Sequence, residues 1–117
     1  MHRFRDLHVY QRALQLTKTV REVTKKFPKD EQFGLTAQFR RASDSIALNI
    51  SEGAGNNSKR EFSRFLAYSI RSAYECVGCI DIALTNEYID KKQHDKLEKE
   101  IQEVIAMLVG LQNSLSN

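Results

Sequence analysis

Proline occurs once and glycine five times in 117 residues, and tryptophan does not occur at all. So little punctuation excludes the many turns of an all-β fold and favours a few long helices. Two cysteines, Cys76 and Cys79, are too few for a disulfide framework. No apolar run approaches the roughly 18 residues that a membrane span requires. The opening Met1-His2-Arg3-Phe4-Arg5-Asp6 is charged and lacks the apolar region of a signal peptide, so a cytoplasmic protein is expected.

The residue sets that carry catalysis are also missing. His2, His8 and His94 stand far apart, and none lies four residues from another His or Cys as a helical metal pair would. No Glu-x-x-His occurs, which removes the ligand motif of a di-iron bundle. Gly53-Ala54-Gly55 lacks the lysine and the spacing of a phosphate-binding loop. Cys76 and Cys79 form a C-x-x-C, but in mid-helix, away from the N-terminal dipole that activates a thiol. A second C-x-x-C to complete a zinc site is absent. The expectation is a protein that is not an enzyme and that uses no cofactor or metal.

What the chain does contain is helical periodicity, with the length of a single domain over residues 1–117. Val9, Ala13, Leu16, Val20, Val23 and Phe27 recur at alternating spacings of four and three, predicting a first helix over about 6–27 that Pro28 ends. Leu35, Phe39, Ala42, Ile46 and Ile50 predict a second over 35–53, stopped by Gly53 and Gly55. Ser58-Lys59-Arg60-Glu61 has the form of a capping box and opens a third over 59–85, with Phe62, Leu66, Ile70, Ala73, Val77, Ile80 and Leu84 inward. Asp90-Lys91-Lys92-Gln93 opens a fourth over 91–115, with Leu97, Ile101, Val104, Leu108, Leu111 and Leu115. Short connections between long helices imply an all-α, antiparallel up-down-up-down four-helix bundle.

Two polar patterns lie on these helices. Gln38, Arg41, Ser45, Asn49 and Glu52 form a stripe at spacings of three and four beside the apolar face of the second helix. Buried charge must be paired, so the stripe is expected to meet Ser72 and Glu75 of the third helix. Arg41 is expected on a carboxylate, Glu75 first and Glu52 second. The network is expected to fix helix register or subunit contacts, with a ligand-binding or catalytic role as the alternative.

The second pattern is basic. Residues 1–72 hold 14 Lys/Arg against 7 Asp/Glu, and residues 73–117 hold 4 against 8, balances of +7 and −4. Such asymmetry is first of all that of solvated helix surfaces. It also fits a face for phosphates or acidic partners, or self-complementary charge between packed subunits. Lys18, Arg21 and Lys25 stripe the first helix, and Arg60, Arg64 and Arg71 the third, with Tyr68 between them. Arg12, Lys18, Arg21, Arg40, Arg60 and Arg64 are the candidate contacts to RNA or DNA.

An ordered set of residues resembles the small four-helix-bundle proteins encoded by intervening sequences in bacterial 23S ribosomal RNA. It runs through Phe4, Asp6-Leu7, Val9-Tyr10-Gln11, Ala13, Phe27-Pro28, Gly34-Leu35, Gln38 and Arg40-Arg41-Ala42. Ser45-Ile46, Asn49-Ile50, Glu52-Gly53, Glu61-Phe62, Phe65-Leu66, Ser72, Glu75, Met107-Leu108 and Gly110-Leu111 follow in order. Arg71 stands where the family usually has a glycine, and Asn56 where it often has an arginine. The resemblance implies a homo-oligomer, commonly a pentameric ring with a central channel. It also implies a relation to the accessory proteins of diversity-generating retroelements, which share the bundle and bind nucleic acid and a reverse transcriptase. Two readings follow: a non-enzymatic oligomer that binds RNA or DNA through basic helix faces, or a scaffold acting through self-association or a protein partner.

Overall fold

The computed structural model of the chain describes residues 3–116, which are helical with no strand among them. Four long helices, α1 (His8–Thr24), α2 (Leu35–Ala54), α3 (Lys59–Thr85) and α4 (Lys91–Ser114), are joined by short connections. Single 3₁₀ turns occupy Phe4–Asp6 and Lys29–Glu31. α1 packs on α2 and α4, and α3 packs on α2 and α4, in a body of 44 × 24 × 20 Å. Phe39, Ile46 and Ile50 of α2, Phe62, Leu66 and Ile80 of α3, Ile101 and Leu108 of α4 and Val20 of α1 fill the shared core.

The helix ends show local chemistry at work. α1 stops at Thr24, short of the expected Phe27, because the N–H groups of Lys26 and Phe27 bond back only three residues, to Val23 and Thr24. Pro28 then holds the chain extended. α2 has Gly34 at its N-cap, with no side chain to offer. The Glu31 carboxylate substitutes, accepting the Leu35 N–H at 3.0 Å while also accepting the Tyr88 hydroxyl at 2.7 Å. These two bonds hold Glu31 below the ordinary carboxylate range, the backbone bond contributing most. Ser58 caps α3 by accepting the Glu61 N–H at 3.2 Å. Asp90 and Gln93 close a full reciprocal capping box on α4.

Gly53 corrects the sequence reading. It does not stop α2 but lies inside it, buried, and the helix continues to Ala54. A Cβ there would stand 2.6 Å from the Phe65 Cβ and 3.1 Å from the Phe62 ring. The glycine is therefore a point of close approach between α2 and α3, the pair of helices in most extensive contact. Small residues continue that seam. Ser69 is buried and donates to the Ile46 carbonyl at 2.9 Å, removing an otherwise unpaired hydroxyl from the core.

Candidate nucleic-acid interface

The two cysteines are inert by position. Cys76 and Cys79 are buried on α3, and burial pushes the Cys79 thiol up to about 11 and Cys76 higher still, so neither is a thiolate near neutral pH. His8 is exposed at the start of α1, and His2 lies outside the described residues. His94 is 7% exposed and bridges helices, its Nε2 2.8 Å from an Asp81 carboxylate oxygen. That hydrogen bond raises the His94 pKa, with help from Asp95 and Glu98 against the effect of burial. Among the described residues, no group of three His, Cys, Asp or Glu side chains is arranged to hold a metal.

The polar stripe of α2 divides. Gln38 Nε2 donates to Glu75 Oε2 at 3.3 Å, Ser72 Oγ to Ser45 Oγ at 2.9 Å, and Asn49 Nδ2 to the Ser45 carbonyl and hydroxyl at 2.9 and 3.0 Å. The Gln38–Glu75 and Ser45–Ser72 bonds join α2 to α3, and Asn49 braces Ser45 within α2. Arg41 and Glu52 do not take part. Both are exposed, and neither enters an ion pair among the described residues. The expected Arg41–carboxylate pair is thus replaced by Gln38–Glu75. Arg41 lies farther round the helix from the α3 contact than Gln38, so its guanidinium stays in water without a desolvation cost to offset.

The six basic candidates fall on three surfaces. Arg12 leaves α1 to meet Glu103 of α4 at 2.6 Å. Arg21 grips Asp44 of α2 with two hydrogen bonds of 2.8 and 2.9 Å, which raise its pKa. Arg40 is half-buried, its Nε donating to Thr24 Oγ1 at 2.8 Å. Lys18 lies beside them, exposed, on a groove of about 760 Å³ along the α1–α2 seam. Arg60 and Arg64 stand on α3, Arg64 paired with Glu61 one turn back at 2.7 Å. Lys18 and Arg60 enter no ion pair among the described residues.

Arg71 lies on the same face of α3, outside the six candidate contacts that the sequence suggests. Its guanidinium carbon lies 5.1 Å from the Tyr68 ring centre, and that of Arg64 lies 5.8 Å from the same ring. Tyr68 is steadied by an edge-to-face contact with Phe65, ring centres 5.6 Å apart. The result is a row of guanidinium, phenol and guanidinium along an outer face, with Arg60 at its end. The signal was present in the spacing, since Arg64 and Arg71 stand four residues before and three after Tyr68. Arg71 also points outward, so the α3 packing carries no strain from it.

The fold is shared with a crystallised protein of unknown function from the S23 ribosomal protein family of Bacteroides thetaiotaomicron. The TM-score is 0.83 at 21% identity, covering 90% of this chain and 95% of that one. No curated protein matches the chain. A sequence profile described as 23S rRNA-intervening sequence protein matches residues 5–110. The chain belongs to that family.

Proposed function

We propose that this member of the 23S rRNA-intervening sequence protein family is a non-enzymatic, oligomeric, cytoplasmic bundle that binds RNA or DNA through its basic outer faces. One observation carries the reading: the row of Arg60, Arg64, Tyr68 and Arg71 on α3, where two guanidiniums lie 5.8 and 5.1 Å from the centre of one phenol ring. Guanidinium groups pair with phosphates, and a cation–π contact of about 0.5–1 kcal/mol with the tyrosine reduces the side-chain freedom that binding must remove. Glu61 competes only through an exposed pair one turn away, worth about 0–1 kcal/mol, which a phosphate displaces.

The contacts between helices favour up-down-up-down order. Ser63, near the start of α3, meets Gln112 at the end of α4, while Asp81 near the end of α3 meets His94 near the start of α4. Thr24 meets Arg40 at the α1–α2 end, and α3 meets α2 in reversed order, Glu75 with Gln38 and Ser69 with Ile46. Such a bundle leaves the α3 row on its outside, available in each copy of a homo-oligomer such as the pentameric ring that the family resemblance implies.

The test is equilibrium binding of labelled single-stranded RNA, duplex RNA and duplex DNA over a salt series. Affinity that falls about 10³-fold or more between roughly 50 and 200 mM salt supports phosphate recognition by several cations. Affinity that stays near the millimolar range for all three at low salt overturns it. A scaffold role is the second reading, favoured by the exposed Leu14 and Leu48 on the α1–α2 seam. Sedimentation of the Leu48→Ser variant tests it: retained assembly removes that seam from the subunit contact.

A further inference from the structure

The α1–α2 seam differs in kind from the α3 row. Its floor is apolar: Leu14 remains 45% exposed and Leu48 63%, with Tyr10 and Ala47 beside them. Its rim carries four cations, Lys18, Arg21, Lys25 and Arg40, against two carboxylates, Glu22 and Asp44. Arg21 is paired with Asp44, whereas Arg40 donates its Nε to the neutral Thr24 hydroxyl and, among the described residues, keeps its charge uncompensated on the rim. Lys18 and Lys25 are exposed and enter no ion pair among the described residues.

The dimensions limit what can lie there. From Tyr10 to Lys25 the seam follows α1 for about 22 Å. A volume of about 760 Å³ spread over that length makes a long, shallow trough. A compact small molecule would remain largely in water in it, whereas ligand pockets bury most of their ligand. A nucleic-acid backbone would satisfy the lysines but leave Leu14 and Leu48 uncovered, which is a poor use of contiguous apolar surface. A helix about four turns long matches the length, covers the leucines with one face and reaches the lysines with its flanks.

We infer that the α1–α2 seam is the docking site for an acidic amphipathic helix of a protein partner, with Leu14 and Leu48 as apolar anchors and Lys18 and Lys25 as the contacts that select negative charge. Arg21, paired with Asp44, and Arg40, hydrogen-bonded to Thr24, tie α1 to α2 along the groove. Charge complementarity sets the class of partner and its orientation, and the leucines supply most of the affinity.

The test uses the full chain and a synthetic helix of about sixteen residues, leucine on one face at i, i+3, i+4 spacing and glutamate on its flanks, beside the same helix with lysine for glutamate. Amide shifts of the labelled protein on titration are expected at Tyr10, Leu14, Lys18, Lys25, Ala47 and Leu48 with the acidic helix only. Leu14→Ser with Leu48→Ser should weaken binding at least about tenfold, with far-ultraviolet circular dichroism at the titration temperature showing that the variant is folded. Lys18→Glu with Lys25→Glu should reverse the preference toward the lysine helix. Absence of binding, equal binding of both helices, or shifts confined to another face overturns the inference. So does a leucine variant that loses self-association while the wild type binds neither helix, which assigns the seam to a second copy. Larger shifts of the same residues with an RNA oligonucleotide than with the acidic helix assign it to nucleic acid and equally overturn it.

Discussion

The two long edges of α2 solve opposite problems. Toward α3, Gly53 admits Phe65 and Phe62 to its backbone, and Ser45, Ser69 and Ser72 pass hydrogen bonds across a seam too close for larger groups. Toward α1, Asp44 and Arg40 reach out to Arg21 and Thr24 and leave a groove with exposed leucines. Close packing leaves no surface for a partner, because every atom is already in contact. Charged bridging side chains hold helices apart and leave a surface that something else can cover. The closed edge therefore reads as scaffold and the open edge as interface.

The largest effect should come from filling the closed edge. Gly53→Val places atoms where the Phe65 Cβ already stands and should cost about 3 kcal/mol, seen as a lower urea midpoint at unchanged slope. If it costs less than about 1 kcal/mol, the two helices are not in tight contact. The complementary substitution sharpens the contrast. Gly110→Ala on α4 meets nothing within 4 Å and should stabilise by about 0.5–1 kcal/mol through helix propensity alone, the opposite sign to position 53.

The open edge should respond weakly. Arg21→Ala removes an exposed pair and should cost no more than about 1 kcal/mol, an effect that thermal melts at two salt concentrations can bound. A loss as large as that at Gly53 would make the α1–α2 seam part of the fold and not an interface. The smallest effect is a slope. The His94 pKa is raised in the folded state by its bond to Asp81, so its stabilising contribution is complete below about 6.5, the pKa of an unperturbed histidine, and is lost as pH rises through the folded value. The stability gap between wild type and His94→Gln should accordingly narrow from pH 5.5 toward pH 8, roughly the range over which histidine titrates. A gap that widens would show the neutral ring to be the bonded form.

Much of this contrast was open to reading in the residues and some was not. The alternation of three and four in Phe62, Leu66, Ile70, Ala73, Val77 and Ile80 is a property of one helix, so four helices with apolar stripes follow from periodicity alone. The role of Gly53 does not follow, because a glycine near a helix end and a glycine under a phenylalanine look alike until the distance to α3 is known. Arg41 and Gln38 sit in one stripe, but which of them reaches Glu75 depends on how α2 is rotated against α3. The cap that Glu31 provides for α2 depends equally on Tyr88, 57 residues away. Arg64, Tyr68 and Arg71 were legible as a local pattern, since residues three and four apart on a helix must be neighbours.

The central claim is that recognition belongs to the outer faces and the α2–α3 seam belongs to the scaffold. Binding of one labelled RNA at fixed low salt, by the wild type, by Arg64→Ala with Arg71→Ala, and by Gln38→Ala with Ser72→Ala, tests it most directly. Loss of about tenfold or more in affinity and a shallower salt slope for the arginine pair, with the seam pair binding like wild type, is the predicted result. Equal affinity for the arginine pair and the wild type, or a larger loss from the seam pair, would contradict it.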